Sequence, residues 1–157
     1  MTAFGTNQTA ARLHDLIVQT EIPLRLIPEQ QSGISCVWCL NPLYDGPETV
    51  ALDEASRGLR GCARCYTARV ETLETYYAWL NHCSACPYCR DGGACTVSFG
   101  YRALHQDAAR VIGRPPPLCS GCFAEVQADE VLIPKLREGS SATHLSYFHA
   151  RCPRRRR

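Results

Sequence analysis

Cys36-Val37-Trp38-Cys39 and Gly61-Cys62-Ala63-Arg64-Cys65 are the stretches that decide the fold. Two Cys-x2-Cys pairs separated by 22 residues carry the spacing of a four-ligand metal site. Each pair turns two sulfurs and adjacent backbone N–H groups toward one centre. Two such turns complete the tetrahedral set that structural zinc prefers. Gly61 is expected to permit a sharp entry into the second pair. Asp45-Gly46-Pro47 marks a turn, and Thr49-Val50-Ala51-Leu52 reads as a short strand between the pairs. Residues 66–82 follow as an amphipathic helix with Val70, Leu73, Tyr77 and Leu80 inward.

The end of that helix opens a second cluster, His82-Cys83-Ser84-Ala85-Cys86-Pro87-Tyr88-Cys89, with Cys95 beyond it. Two ligand sets fit. One is His82, Cys86, Cys89 and Cys95; the other replaces His82 with Cys83. The set with His82 is preferred, because a ligand at a helix end followed by a Cys-x2-Cys turn needs less backbone distortion. Asp91-Gly92-Gly93 supplies the turn that returns Cys95. Residues 98–112 read as a further helix, with Tyr101, Leu104, Ala108 and Val111 inward. Ser98 is its expected cap and Gly113 its stop. Arg114-Pro115-Pro116-Pro117 reads as a stiff linker.

A third cluster pairs Cys119-Ser120-Gly121-Cys122 with His149-Ala150-Arg151-Cys152 across 26 residues. His144 is an alternative to Cys152 as the fourth ligand. Glu125-Val126, Val131-Leu132-Ile133 and Tyr147-Phe148 read as short strands, and Gly139-Ser140-Ser141 as a loop. Upstream of everything, residues 9–20 suit a helix capped by Thr9, with Leu13, Leu16 and Ile17 on one face and Pro23 beyond its end.

These readings give a small α+β chain of zinc-stabilised modules, built from treble-clef-like or zinc-ribbon-like fingers with short hairpins and amphipathic helices. The expected segments are 1–33 (helix and connector), 34–82 (first module), 82–113 (second module), 114–117 (linker), 118–153 (third module) and 154–157 (arginine tail). Three Zn²⁺ per chain are expected. The chain has 157 residues and eleven cysteines, and modules this small bury too little apolar surface to fold without metal.

Module 118–153 resembles the PARP-type zinc finger through Cys119, Cys122, His149 and Cys152, with Val126, Asp129-Glu130-Val131 and Phe148 as supporting matches. LIM modules share the ligand order. The resemblance implies contacts with DNA ends and breaks. Residues 36–112 resemble small cysteine-rich proteins of actinobacteria through the Cys-x-Trp-Cys pair, the Gly-Cys-x2-Cys pair and the trailing His-Cys-Cys-Cys cluster. That likeness implies metal binding and supplies no activity.

Composition narrows the function further. No apolar run approaches the length of a membrane span, and the start lacks the pattern of a secretory signal. A reducing cytoplasmic setting is therefore expected, where cysteine pairs bind metal more often than they form disulfides. The odd cysteine count also disfavours a complete disulfide framework. The formal charge is +2, and ligation by thiolates turns it slightly negative, so a nucleic-acid role must come from local basic patches. Residues 114–157 supply one, with eight Lys and Arg against four Asp and Glu. Lys135, Arg137, Arg151, Arg154, Arg155, Arg156 and Arg157 are the expected nucleic-acid contacts, with Tyr147 assisting. The leading expectation is a zinc-finger protein binding nucleic acid, DNA first; the alternative is an adaptor that binds a protein partner. No membrane and no small-molecule substrate are expected. No catalytic residue is expected either: His-Glu-x2-His, the deaminase pattern and a phosphate-binding glycine loop are all missing. Iron–sulfur binding at 83–95 is disfavoured by its spacing.

Overall fold

Leu13, Leu16 and Ile17 recur at helical spacing, and in the computed structural model all three are buried on one face of α1, Phe4–Thr20. The structure describes residues 4–52, 58–138 and 143–152. Helix α1 starts earlier than expected, so Thr9 lies inside it and does not cap it. No proline stands before Thr9 to stop the helix from extending. The chain divides into two compact units, Met1–Val70 and Glu71–Arg157.

In the first unit, Pro28 opens the short helix α2, Pro28–Gln31. The buried Gln30 side chain accepts from the Ile27 N–H (2.9 Å) and donates to Val37 O (2.8 Å), which ties α2 to the first cysteine pair. Strands β1, Thr49–Ala51, and β2, Arg60–Cys62, pair antiparallel with Thr49 opposite Cys62. Val37, Leu52 and Leu59 form the core, with Trp38, Val50 and Tyr66 packed against it. A Cβ on Gly61 would collide with the Trp38 ring. Glycine is therefore needed here for packing, and not for the sharp backbone turn expected from the sequence.

Helix α3, Ala63–Ala85, outruns the expected 66–82 at both ends. Its buried face is Thr72, Leu73, Tyr76, Trp79 and Cys83, so Tyr76 and Trp79 take the inward places expected for Tyr77 and Leu80. The reason is polar. Tyr76 Oη lies 2.7 Å from Lys135 O and 2.9 Å from Ser146 O, and accepts the Ser146 N–H at 3.1 Å. Trp79 Nε1 donates to Ser98 Oγ at 3.0 Å. Both rings bury their apolar bodies and satisfy their polar tips.

The second unit continues with α4, Pro87–Arg90, and α5, Thr96–Val111. Cys95, not Ser98, occupies the N-cap position of α5, and Gly113 (φ 73°) follows its end as expected. The inward face of α5 is a correction. Ser98, Arg102 and His105 are buried, whereas Leu104 and Val111 are 57% and 74% exposed. Arg102 donates to Glu130 O (2.6 Å) and Gln127 O (2.9 Å), and these bonds offset the burial of its charge.

Strands β3, Leu132–Glu138, and β4, Thr143–His149, form an antiparallel hairpin with Leu132 opposite His149 and Lys135 opposite Ser146. Both are longer than the sequence suggests. Pro134 is tolerated because a two-stranded sheet leaves each strand one open edge. Leu118 and Glu125 form an isolated bridge. The expected loop at 139–141 lies outside the described residues. Trp79, Cys83, Cys89, Cys119, Val126, Leu132 and Cys152 form one buried cluster, so the second and third cysteine groups share a core. Residues 114–117 lie inside this unit, where Pro117 O accepts the Val126 N–H at 3.3 Å. Among the described residues, no helix is long and apolar enough to cross a membrane.

Candidate metal centres

The structure gathers three sets of four side chains: Cys36, Cys39, Cys62 and Cys65; His82, Cys86, Cys89 and Cys95; Cys119, Cys122, His149 and Cys152. Within each set the donor atoms lie within 4.8 Å of one another. Each set could hold a metal ion. All eleven cysteines are free thiols. Sulfurs bound to one tetrahedral Zn²⁺ stand about 3.8 Å apart. Cys39–Cys62 at 3.9 Å, Cys89–Cys95 at 3.7 Å and Cys119–Cys152 at 3.7 Å fit that spacing, and all are far too long for a disulfide. The soft thiolate and imidazole donors suit the same ion.

The first and third sets are built on the same turn. Leu40 N–H donates to Cys36 O (3.1 Å), and Phe123 N–H to Cys119 O (2.7 Å). Each of these residues directly follows the second cysteine of its pair and takes a left-handed φ, 64° for Leu40 and 62° for Phe123. Backbone N–H groups then point at the first sulfur. Cys62 N lies 3.3 Å from Cys36 Sγ, while Gly121 N and His149 N each lie 3.4 Å from Cys119 Sγ. Burial opposes ionisation of Cys36, but the N–H groups of Cys62, Cys39 and Trp38 outweigh it and bring the thiol down to about 7. The same contest at Cys119, won by N–H groups of His149, Gly121 and Cys122, brings it to about 6. At Cys95 the Ser98 N–H is the main cause, with His82 adding to it, and the thiol falls to about 6. Each set thus contains one cysteine predisposed to be a thiolate, the form that binds metal.

Helix α3 carries ligands at both ends, Cys65 near its start and His82 in its last turn. His82 Nε2 lies 3.0 Å from Cys95 Sγ and 3.7 Å from Cys89 Sγ. Cys83 turns away, with its sulfur 3.5 Å from Ser98 Oγ, and burial raises its thiol pKa. In the third set the hairpin delivers His149 and the following turn delivers Cys152; Cys122 Sγ lies 3.4 Å from His149 Nδ1. His144 is exposed on β4 and outside the set.

Of two supporting residues, Arg69 escaped the sequence reading, and Glu130 entered it only within the Asp129-Glu130-Val131 match of the third module. Arg69 lies one helical turn after Cys65, donates to its carbonyl at 3.0 Å and stacks 4.1 Å from the Trp38 ring centre. Burial disfavours its charge, and the four cysteines of the first set counter that. Arg69 thereby offsets the negative charge of a four-thiolate site. Glu130 lies at the third set, with Oε2 3.3 Å from His149 Nε2.

Strand alternation and register sort the basic residues. Leu132, Pro134 and Leu136 share one hairpin face with Tyr147 and His149; Ile133, Lys135 and Arg137 share the other with Phe148 and His144. Lys135 Nζ sits 5.9 Å from the Phe148 ring centre. Tyr147 is therefore a correction: it faces the core, where it stacks on Trp79 and bonds His105. Arg151 is exposed beside Cys152. Arg154, Arg155, Arg156 and Arg157 lie outside the described residues. No protein-family model, curated protein or solved structure matches the chain.

Proposed function

We propose that the chain is a cytoplasmic zinc-finger protein that binds nucleic acid, DNA first, through the basic hairpin of residues 118–153 and the arginine tail. Three closed four-ligand sets suit structural Zn²⁺, whose role is to fix the loops that carry the contacts. The supporting observation is the hairpin face that carries Lys135 and Arg137, opposite Ser146 and His144, together with Phe148, opposite Ile133. Cations interleaved with an aromatic ring match a phosphate backbone with exposed bases. Phe123, 72% exposed at the tip of the third cysteine turn, adds a second ring available for stacking. The PARP-type ligand order agrees with this reading.

Binding of a fluorescent DNA duplex by the zinc-loaded chain, followed by anisotropy across a salt series, tests it. Each phosphate neutralised contributes a slope of about −0.9 in log affinity against log salt. Replacing both Lys135 and Arg137 by Ala should weaken binding and flatten that slope by about 2. An unchanged slope and affinity would remove the hairpin from the interface.

A second reading, a protein–protein adaptor, has its own support. Val97, Leu104 and Val111 recur every seven residues on α5 and are 54%, 57% and 74% exposed. An apolar line of that kind fits a partner helix. In that case DNA affinity would not exceed what the arginine tail alone confers.

A further inference from the structure

Within the second unit lies a cavity of about 610 Å³ that belongs to none of the three metal sets. Its size falls within the range of about 300–1,000 Å³ typical of small-ligand sites. Its lining includes the exposed apolar residues Pro115, Pro116 and Leu118. Its floor is the stacked pair Trp79 and Tyr147, whose ring centres are 6.2 Å apart.

The polar groups of the floor are fixed by hydrogen bonding. His105 Nδ1 lies 3.0 Å from Thr72 O. A carbonyl only accepts, so Nδ1 carries the imidazole proton. Nε2 then accepts from the Tyr147 hydroxyl at 2.6 Å. With its proton committed to His105, the Tyr147 oxygen presents lone pairs, and the Arg114 guanidinium hydrogen-bonds to it. The lining of the cavity includes two arginines, Arg110 and Arg114, and no Asp or Glu. Arg110 is drawn outward to Asp107 at 2.8 Å. Arg114 is half-buried at the cavity wall.

We propose that this cavity binds a small aromatic carboxylate of one or two rings. The flat prolines 115–117 and the half-buried Tyr147 suit the ring system. An acid-free lining with a half-buried guanidinium suits a carboxylate, since Arg pairs with that group in a planar, two-pronged geometry. Arg114 keeps N–H donors beyond the one on Tyr147, and a carboxylate accepts from them where a neutral ring does not. The proposal concerns binding alone, and it stands whether or not the hairpin contacts nucleic acid.

The test uses the full zinc-loaded chain, with 2-naphthoate as probe and 2-naphthylmethanol as its neutral counterpart. Amide shifts in ¹H–¹⁵N spectra should saturate with naphthoate and centre on Gln106, Arg114, Ser120 and Tyr147. The neutral probe should bind about tenfold more weakly or not at all. Arg114→Gln should weaken naphthoate by about the same factor and leave the alcohol unaffected. Absence of saturable shifts at those amides, shifts confined to the arginine tail, or equal affinity for the two probes would overturn the proposal. If Arg114→Gln fails to fold, the comparison of the two probes on the unaltered chain decides.

Discussion

Glu130 Oε2 stands 3.3 Å from His149 Nε2, while Nδ1 of the same ring faces Cys122 Sγ at 3.4 Å. One imidazole thus stands between a carboxylate and the third set, with Nε2 close to Oε2 but not in hydrogen-bond geometry with it. The carboxylate is itself held: Oε2 accepts the Gln127 N–H at 2.7 Å, and Arg102 grips the carbonyls of both Gln127 and Glu130. Carboxylates behind a ligating histidine fix its tautomer and raise its basicity. Through the charge of the nearby carboxylate alone, Glu130→Gln should lower zinc affinity at this set by up to about tenfold, as read by competition with a chromophoric chelator. The other two sets should keep their affinity.

Cys122→Ser removes a ligand from the third set, yet its effect should not stop there. Cys89 and Cys119 belong to the same buried cluster as Trp79. Loss of the third ion should therefore loosen the packing around the second. In ¹H–¹⁵N spectra, amides of residues 71–152 should lose dispersion together, and those of residues 10–52 should keep theirs. Retained dispersion in α5 would show that the two sets are stabilised separately.

Cys83→Ser should leave three metals per chain by elemental mass spectrometry. Its sulfur packs against Ser98 Oγ at 3.5 Å, and His82 supplies the donor atom that faces Cys89 and Cys95. Loss of one metal equivalent would restore Cys83 as a ligand.

Acid should release metal from all three sets. A thiol whose pKa is lowered by the fold holds its stabilising charge fully above the ordinary thiol value and loses it as pH falls through the lowered one. Backbone N–H groups bring Cys36 down to about 7 and Cys95 and Cys119 to about 6. Stepwise acidification with mass spectrometry of the released and retained metal should show all three equivalents held above the ordinary thiol value and lost by about pH 5. Alkylation mapping should then find the cysteines of all three sets newly reactive.

The grouping of the cysteines was legible because ligand spacing is a local property. A Cys-x2-Cys turn carries its own geometry, and the sequence pairs those turns without knowledge of the rest of the chain. The helix faces were less legible for the opposite reason. Ser98, Arg102 and His105 look like a polar side of α5, and Leu104 and Val111 like its apolar side. The polar side is buried because its partners, the Gln127 and Glu130 carbonyls and the Tyr147 hydroxyl, come from 25 to 42 residues away. Tyr147 was misplaced by the same blindness: only the register of β3 with β4 reveals which face it occupies. Leu40 and Phe123, both in left-handed conformations, gave no signal at all, since neither is the glycine or asparagine that such positions favour.

The core around Trp79 also bears on how the chain would respond to metal supply. An ion entering either set of the second unit orders part of the apolar surface that shapes the other. The second ion would then bind a site already half assembled, and its affinity would rise. The two sets would fill over a narrower range of free zinc than two isolated fingers would. The second unit would thus switch from slack to rigid at a threshold, as a thermostat does, and not in proportion to the ion.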